Sequence, residues 1–238
     1  MKKIFLLTCI CLLYYSIHAQ ITDPVATEVW EPEPKAVHPG DAKVPPSDAI
    51  ILGPEAWVHQ DGALLQWTVI NGEMTVKKGT GAIFTKEKFG DCQLHIEWRS
   101  PQVIEGEGQG RGNSGVFLQN RYEVQVLDSY LNRTYSNGQA GSIYKQTIPL
   151  VNAMSPPGEW NSYDIIYKEP HFNADGMKVS SAYITVLHNG VIIQNHTEIR
   201  GTTPYIGLPK NPPHEDDVIQ LQDHGNPVSY RNMWIRKL

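Results

Sequence analysis

Residues 122–130 read Y-E-V-Q-V-L-D-S-Y: an acid and an amide stand two positions apart in an apolar run, and a second acid follows. Glu123 and Asp128 are the groups that could do chemistry. Two carboxyls on either side of a reacting bond can serve as acid and base, or as acid and nucleophile. Gln125 between them can bind a hydroxyl or a developing oxyanion. A second polar cluster, L-Q-D-H-G-N-P-V-S-Y-R-N, carries Gln222, Asp223, His224 and Arg231 near the C-terminus. His224 is the natural proton carrier at neutral pH if the two clusters meet. Imidazole, carboxylates and amides together could also hold a divalent cation. No H-x-H or H-E-x-x-H spacing supports one, so no metal ligand is assigned.

These side chains need a strand to aim them. Alternate residues of a strand face opposite ways. Tyr122, Val124 and Val126 then share a core face, and Glu123 and Gln125 share the other. Asp128 has the parity of the core face, so it needs a bulge or the strand's end to join them. For a single strand the plainest reading is a polar side turned to solvent. The preceding G-Q-G-R-G-N-S-G argues for more, because glycine lets backbone approach a ligand closely. Arg111 and Asn113 add donors within that stretch. Tyr130, Tyr144 and Trp160 are the aromatic candidates for stacking on a sugar ring.

From Ala49 onward, short runs rich in Val, Ile, Thr, Tyr and Trp alternate with turn signals. Asn71-Gly72 and Asn189-Gly190 are the favoured dipeptides of two-residue hairpins. D-C-Q-L-H-I-E-W-R-S, S-Y-D-I-I-Y-K-E, P-Y-I-G-L-P, V-I-Q-L-Q-D and M-W-I-R-K-L read as further strands. No segment holds a helical period over three turns. The pattern predicts an all-β jelly-roll sandwich of two antiparallel sheets over residues 49–238.

Residues 1–19 have Lys2 and Lys3, an apolar run and a small residue at the end, the pattern of a secretory signal peptide. The expected location is therefore export, to the periplasm or beyond, with no membrane span once the leader is removed. Residues 20–48 are rich in proline and charge and read as an extended arm. Cys9 and Cys11 would leave with the leader. Cys92 stays alone and reads as a small buried strand residue. The formal charge is −5 and becomes −7 when Lys2 and Lys3 are lost. Without a basic run, nucleic acid is excluded as a partner. Small molecules or uncharged polymers are the fitting ligands.

The segments RGNSGVFLQNRYEVQVLDSY, GSIYKQ, PPGEWNSYDIIY, TVLHNGVIIQN and LQDHGNPVSYRNMWIRKL closely resemble the 3-keto-disaccharide hydrolase domain family. That family is also described as 3-keto-glucoside lyase and 3-keto-2-hydroxyglucal hydratase. The resemblance covers the whole of 49–238. It implies a concanavalin-like jelly roll and a bacterial exported enzyme that cleaves 3-keto-glycosides. It implies catalysis by Glu123, Asp128 and His224. Substrate binding would fall to Arg111, Asn113, Gln125, Tyr144, Lys145, Gln222 and Arg231. More distantly the chain resembles retaining β-glucanases with the motif E-x-D-x-x-E. Here the stretch is Glu123-x-Gln125-x-x-Asp128, with an amide in the middle and a shorter last acid. Two alternatives stand beside this reading: a conventional glycoside hydrolase, and a carbohydrate-binding module without catalysis.

Overall fold

The computed structural model describes residues 22–41 and 44–238. The expected leader, with Cys9 and Cys11, lies outside them. The chain divides into two units, Met1–Ala36 and Val37–Leu238. In the first, Pro24–Thr27 forms one 3-10 turn whose N-terminal amide is capped by Asp23. The second contains every strand among the described residues. It starts earlier than the sequence suggests. Asp48 makes a two-pronged ion pair with Arg236 at 2.7 and 2.8 Å, so the end of the expected arm belongs to the β-domain.

Among the described residues the strands are β1 (Ile50–Ile51), β2 (Trp57–His59), β3 (Thr68–Ile70), β4 (Glu73–Thr75), β5 (Ile83–Phe89), β6 (Cys92–Arg99), β7 (Ser114–Leu118) and β8 (Tyr122–Val126). They continue with β9 (Asn161–Lys168), β10 (His171–Phe172), β11 (Lys178–Ser180), β12 (Ala182–His188), β13 (Val191–Ile199), β14 (Asp217–Leu221) and β15 (Ser229–Lys237). The larger antiparallel sheet runs β13-β12-β9-β6-β15-β4-β3, with β1 on β15. The smaller runs β2-β5-β14-β7-β8, and β10 pairs only with β11. The architecture is the all-β jelly-roll sandwich that the sequence predicts.

Period-two alternation builds the core between the sheets. Leu94, Ile96 and Trp98 of β6 and Tyr163, Ile165 and Tyr167 of β9 are buried from one side. Val116, Leu118, Val124, Val126, Ile219 and Leu221 are buried from the other. Fully burying one such aliphatic side chain contributes about 1.5–3 kcal/mol. Cys92 is buried in this core, and burial pushes its thiol up to about 12. Asn71-Gly72 and Asn189-Gly190 have positive φ at both residues and join β3 to β4 and β12 to β13.

P-Y-I-G-L-P is not a strand. Residues 202–216 form a loop in which Gly207 has φ 100° and Tyr205, Ile206 and Leu208 are exposed. Alternation of apolar residues suggested pairing there, but Pro204 and Pro209 remove two ladder donors.

Tyrosines from the larger sheet reach across the core and fix the smaller one. The Tyr163 hydroxyl donates to the Gln125 carbonyl at 2.8 Å. The Tyr230 hydroxyl donates to Ser114 Oγ at 2.7 Å, and Ser114 Oγ donates to the Gln222 carbonyl at 2.6 Å. β8, β7 and the end of β14 are thereby held at the places where the polar residues of interest stand.

Candidate active site

β8 has the two faces its sequence predicts. Val124 and Val126 enter the core, and Glu123 and Gln125 point to the outer face of the smaller sheet. That face is not open solvent. Residues 141–144 run along the free edge of β8: Gln125 N donates to Ser142 O at 3.0 Å and Tyr144 N to Glu123 O at 3.1 Å. Thr203 closes the other end, its hydroxyl accepting from Glu123 N at 3.1 Å and donating to Arg121 O at 3.1 Å. An edge strand is thus covered by chain that also walls a cavity.

The cavity holds about 160 Å³ and is lined by Glu123, Gln125, Asn113, Tyr144, Gln222 and His224, with Phe117, Thr203 and Tyr205. The two polar clusters meet because β14 pairs with β7, which pairs with β8. Gln222 N donates to Gly115 O at 3.0 Å, which places Gln222 beside the Gly115–Gln125 pair. Asp223 anchors the turn that carries His224, its carboxylate accepting from the backbone of Gly79, Gly81 and Gly225. His224 is exposed at the cavity mouth.

Glu123 is 5% exposed, and burial alone raises its carboxyl from 4.5 to about 8. The Gln125 amide sits 3.0 Å from Glu123 Oε1 and 3.0 Å from the Ser114 carbonyl. With its nitrogen toward them it donates to both. Gly115 makes room for this arrangement: a Cβ there would lie 2.5 Å from Glu123 Oε1 and 2.9 Å from Phe117 Cε2. The Gln222 amide oxygen is buried and has no partner, an acceptor free to meet a sugar hydroxyl. Asn113 is buried, donating to Gln109 O at 2.7 Å. Burial thus favours the protonated carboxyl at neutral pH, beside one imidazole and several amides around a small space.

Other expected residues are set apart. Asp128 lines a different cavity and is paired with Arg111 at 2.7 Å, the carboxylate being 2% exposed. β8 ends at Val126, and the chain then turns Asp128 toward Arg111 instead of toward Glu123. Asp128 and Arg111 satisfy each other, and Arg111 also donates to Tyr130 O at 2.8 Å. Arg231 belongs to the larger sheet, where it pairs with Glu97 at 2.6 Å and lies 4.0 Å over the Trp160 ring. Arg99 covers the same ring at 4.5 Å, so Trp160 is a packing partner of two guanidiniums. Lys145 takes a supporting position: its ammonium donates to Tyr205 O at 2.5 Å and lies 4.3 Å over the Tyr205 ring. It ties the 202–216 loop to the Tyr135–Tyr144 pair, whose hydroxyls are 2.6 Å apart. Among the described residues no group of three or more His, Cys, Asp or Glu is placed to hold a metal ion. The cavity is lined by one carboxyl, one imidazole, neutral amides and the hydroxyl-bearing Tyr144, Thr203 and Tyr205.

Sequence reasoning missed Phe117, Thr203 and Tyr205. Phe117 sits in the apolar run V-F-L, whose parity is hidden; Tyr205 is in the segment read as a strand, and Thr203 lies just before it.

The comparisons with known proteins agree with this architecture. A family model described as a 3-keto-alpha-glucoside-1,2-lyase-like domain matches residues 51–236. The chain belongs to this family. The 3-keto-alpha-glucoside-1,2-lyase-like domain thus spans β1 to β15 nearly whole, including the Glu123 cavity. The crystal structure of a candidate glycosyl hydrolase from Parabacteroides distasonis is 51% identical. The match covers 91% of this chain and 97% of that one, with a TM-score of 0.87. A second such structure from that organism is 21% identical over 77% of this chain and 89% of its own. Its TM-score of 0.54 shows likeness of fold. No curated protein matches the chain. Family membership makes this a carbohydrate-active protein.

Proposed function

We propose that the protein is an exported enzyme that cleaves 3-keto-glycosides by elimination and then hydrates the product. The observation that carries this reading is the single carboxyl in the cavity. Ordinary glycoside hydrolysis needs a pair of carboxyls flanking the bond. Here Asp128 is bound to Arg111 in another cavity, which leaves Glu123 and the imidazole of His224. Elimination asks for one acid and one base.

In the proposed reaction a ketone at C3 acidifies the proton on C2. His224 takes that proton. The electron pair forms the C1=C2 bond as the C1–oxygen bond breaks, and Glu123, protonated at neutral pH, gives its proton to the leaving oxygen. Gln222 and Asn113 hydrogen-bond the sugar oxygens, and the Gln125 amide holds the Glu123 carboxyl in place. Water then adds across the glycal, its hydroxyl to C1 and a proton to C2. The 51% identical neighbour supports action on a glycosidic bond, and the family description supports the 3-keto substrate.

The test is incubation of a 3-keto-glucoside, deuterated at C2, beside its unoxidised parent. Aglycone release from the keto compound alone, with loss of the C2 deuterium to solvent, is expected. Cleavage of the parent with the deuterium retained would replace this reading with ordinary hydrolysis. Export rests on residues 1–19. Among the described residues no helix is long and apolar enough to cross a membrane. Intact-mass measurement on protein from the envelope fraction should show loss of the leader, and a chain that keeps Met1 would defeat the export proposal.

A further inference from the structure

The outer face of the smaller sheet continues well beyond the Glu123 cavity. Register places one transverse row of side chains on it. Glu123 of β8 opposes Phe117 of β7, Phe117 opposes Gln220 of β14, Gln220 opposes Phe84 of β5, and Phe84 opposes Val58 of β2. Their neighbours along each strand, such as Val116, Leu221 and Ile83, are buried in the core, so the row faces outward. Phe117, Gln220, Phe84 and Val58 are half-buried. Three strand spacings of about 4.8 Å put Phe84 roughly 14 Å from Glu123's strand. A disaccharide with its reacting bond at Glu123 does not reach that far.

Space accompanies the row. The Glu123 cavity, at about 160 Å³, is small for a whole ligand, since such pockets usually hold at least about 300 Å³. A groove of about 420 Å³ lies over Phe84, walled by Val58, Gly62 and Val218. A second recess beside Phe84, lined by Gln60 and Gln66, runs along the 80–82 backbone. That backbone is the one Asp223 holds next to His224. That recess, which shares Phe84 with the groove, therefore ends beside the turn bearing the proposed base.

The chemistry of the groove selects its occupant. An aromatic ring on an outer face flanked by the amides of Gln220, Gln60 and Gln66 suits a pyranose, which has apolar C–H faces and hydroxyl edges. The Asp61 carboxylate accepts from Ala63 N, and Lys86 brings the opposite charge to the groove, so the lining carries no excess of one sign.

We propose that Phe84, with Gln220, forms a distal sugar subsite, and that the preferred ligand is a neutral oligosaccharide or extended glycoside that crosses the sheet from Glu123 to β5. The proposal rests on the carbohydrate reading of the Glu123 cavity but not on the 3-keto chemistry. Phe84 is a binding residue for the remote rings and touches no reacting atom.

The experiment is calorimetric titration of the full chain with neutral gluco-oligosaccharides of one to five rings, from both the maltose and the cellobiose series. Wild-type affinity should rise with ring number in one series and then level off. Phe84→Ala should flatten that rise, losing on the order of tenfold for the longest member and nothing for glucose. Phe84→Tyr should keep the rise, since it keeps the ring. Equal affinity for all lengths, absence of binding at every length, or an equal loss for short and long ligands in Phe84→Ala would overturn the subsite. Failure of the 3-keto reading would show separately, as no aglycone release from the keto-glucoside while the length series stays intact.

Discussion

Replacing Glu123 by Gln should make the protein more stable, and increasingly so as pH rises. The carboxyl is buried and its pKa is raised from 4.5 to about 8 by loss of solvent. A folded pKa above the unfolded one favours the protonated fold. The associated stability is complete below pH 4.5 and is lost as pH climbs to about 8. Each pH unit in that window removes about 1.4 kcal/mol, and the whole passage removes on the order of 5 kcal/mol. Gln has nearly the same shape and does not ionise, so the variant escapes this loss. The Gln125 amide can turn its oxygen toward the new amide nitrogen. Urea unfolding of both proteins at pH 5, 6, 7, 8 and 9 checks this directly. The stability gap should widen with a slope of about 1.4 kcal/mol per pH unit and flatten above pH 8. A gap that stays constant from pH 5 to 8 would refute the reasoning, because Glu123 would then be an ordinary ionised carboxylate and no proton donor at neutral pH. The same variant should lose turnover of the keto-glycoside, a separate readout of its proposed role.

Three further outcomes follow from packing and charge. Gly115→Ala places a methyl 2.5 Å from Glu123 Oε1, and overpacking of this kind costs about 1–3 kcal/mol. It should lower keto-glycoside turnover with little change in circular dichroism, and unchanged turnover would show that Glu123 need not lie where it does. Arg111→Ala leaves the Asp128 charge buried and alone, a loss of about 3–5 kcal/mol in denaturant unfolding, whereas Arg111→Met with Asp128→Leu should recover most of it. Equal losses for the single and double variants would contradict a mutually satisfied pair. His188 is buried, with its ring nitrogen 3.1 Å from Asn161 Oδ1, and burial lowers its pKa from 6.5 to about 4. Its contribution is present above pH 6.5 and lost as pH falls toward 4. His188→Gln should remove that acid-side slope, and a slope that persists would place it elsewhere.

The degree to which each feature could be read from the chain follows from the range of the interaction that makes it. The hairpins at Asn71-Gly72 and Asn189-Gly190 are local, set by backbone that accepts positive φ, and the residues alone announce them. The two faces of β8 are nearly as local. Y-E-V-Q-V is interrupted by polar residues every second position, so its parity is fixed. S-G-V-F-L and A-I-F-T-K are continuous enough to hide theirs, so nothing along the chain marks Phe117 or Phe84 as outward. Only the pairing of β7 with β8 and of β14 with β5 turns them outward. The meeting of Glu123 with His224 is less local still. It depends on a strand some hundred residues downstream inserting between β5 and β7, and no spacing along the chain encodes that insertion.

Asp128 shows a different difficulty. Arg111 and Asp128 were both visible as unusual charges in one stretch, and each alone suggests a ligand. Together they suggest something else, because a buried carboxylate and a largely covered guanidinium at 2.7 Å use up each other's charge. The backbone makes the same point: Asp128 N donates to Arg111 O and Gly112 O at 3.2 Å, so the strand's end is pinned to the glycine-rich stretch. The glycines ahead of β7 then have two uses. Gly112 lets the chain pass close to Asp128, where a Cβ would lie 2.9 Å from the Asp128 Cβ, and Gly115 admits the Glu123 carboxyl. One glycine serves the scaffold and the other the cavity. That division leaves Glu123 as the carboxyl in the cavity, which is why a mechanism with one acid and one base fits this chain better than a matched pair of carboxyls.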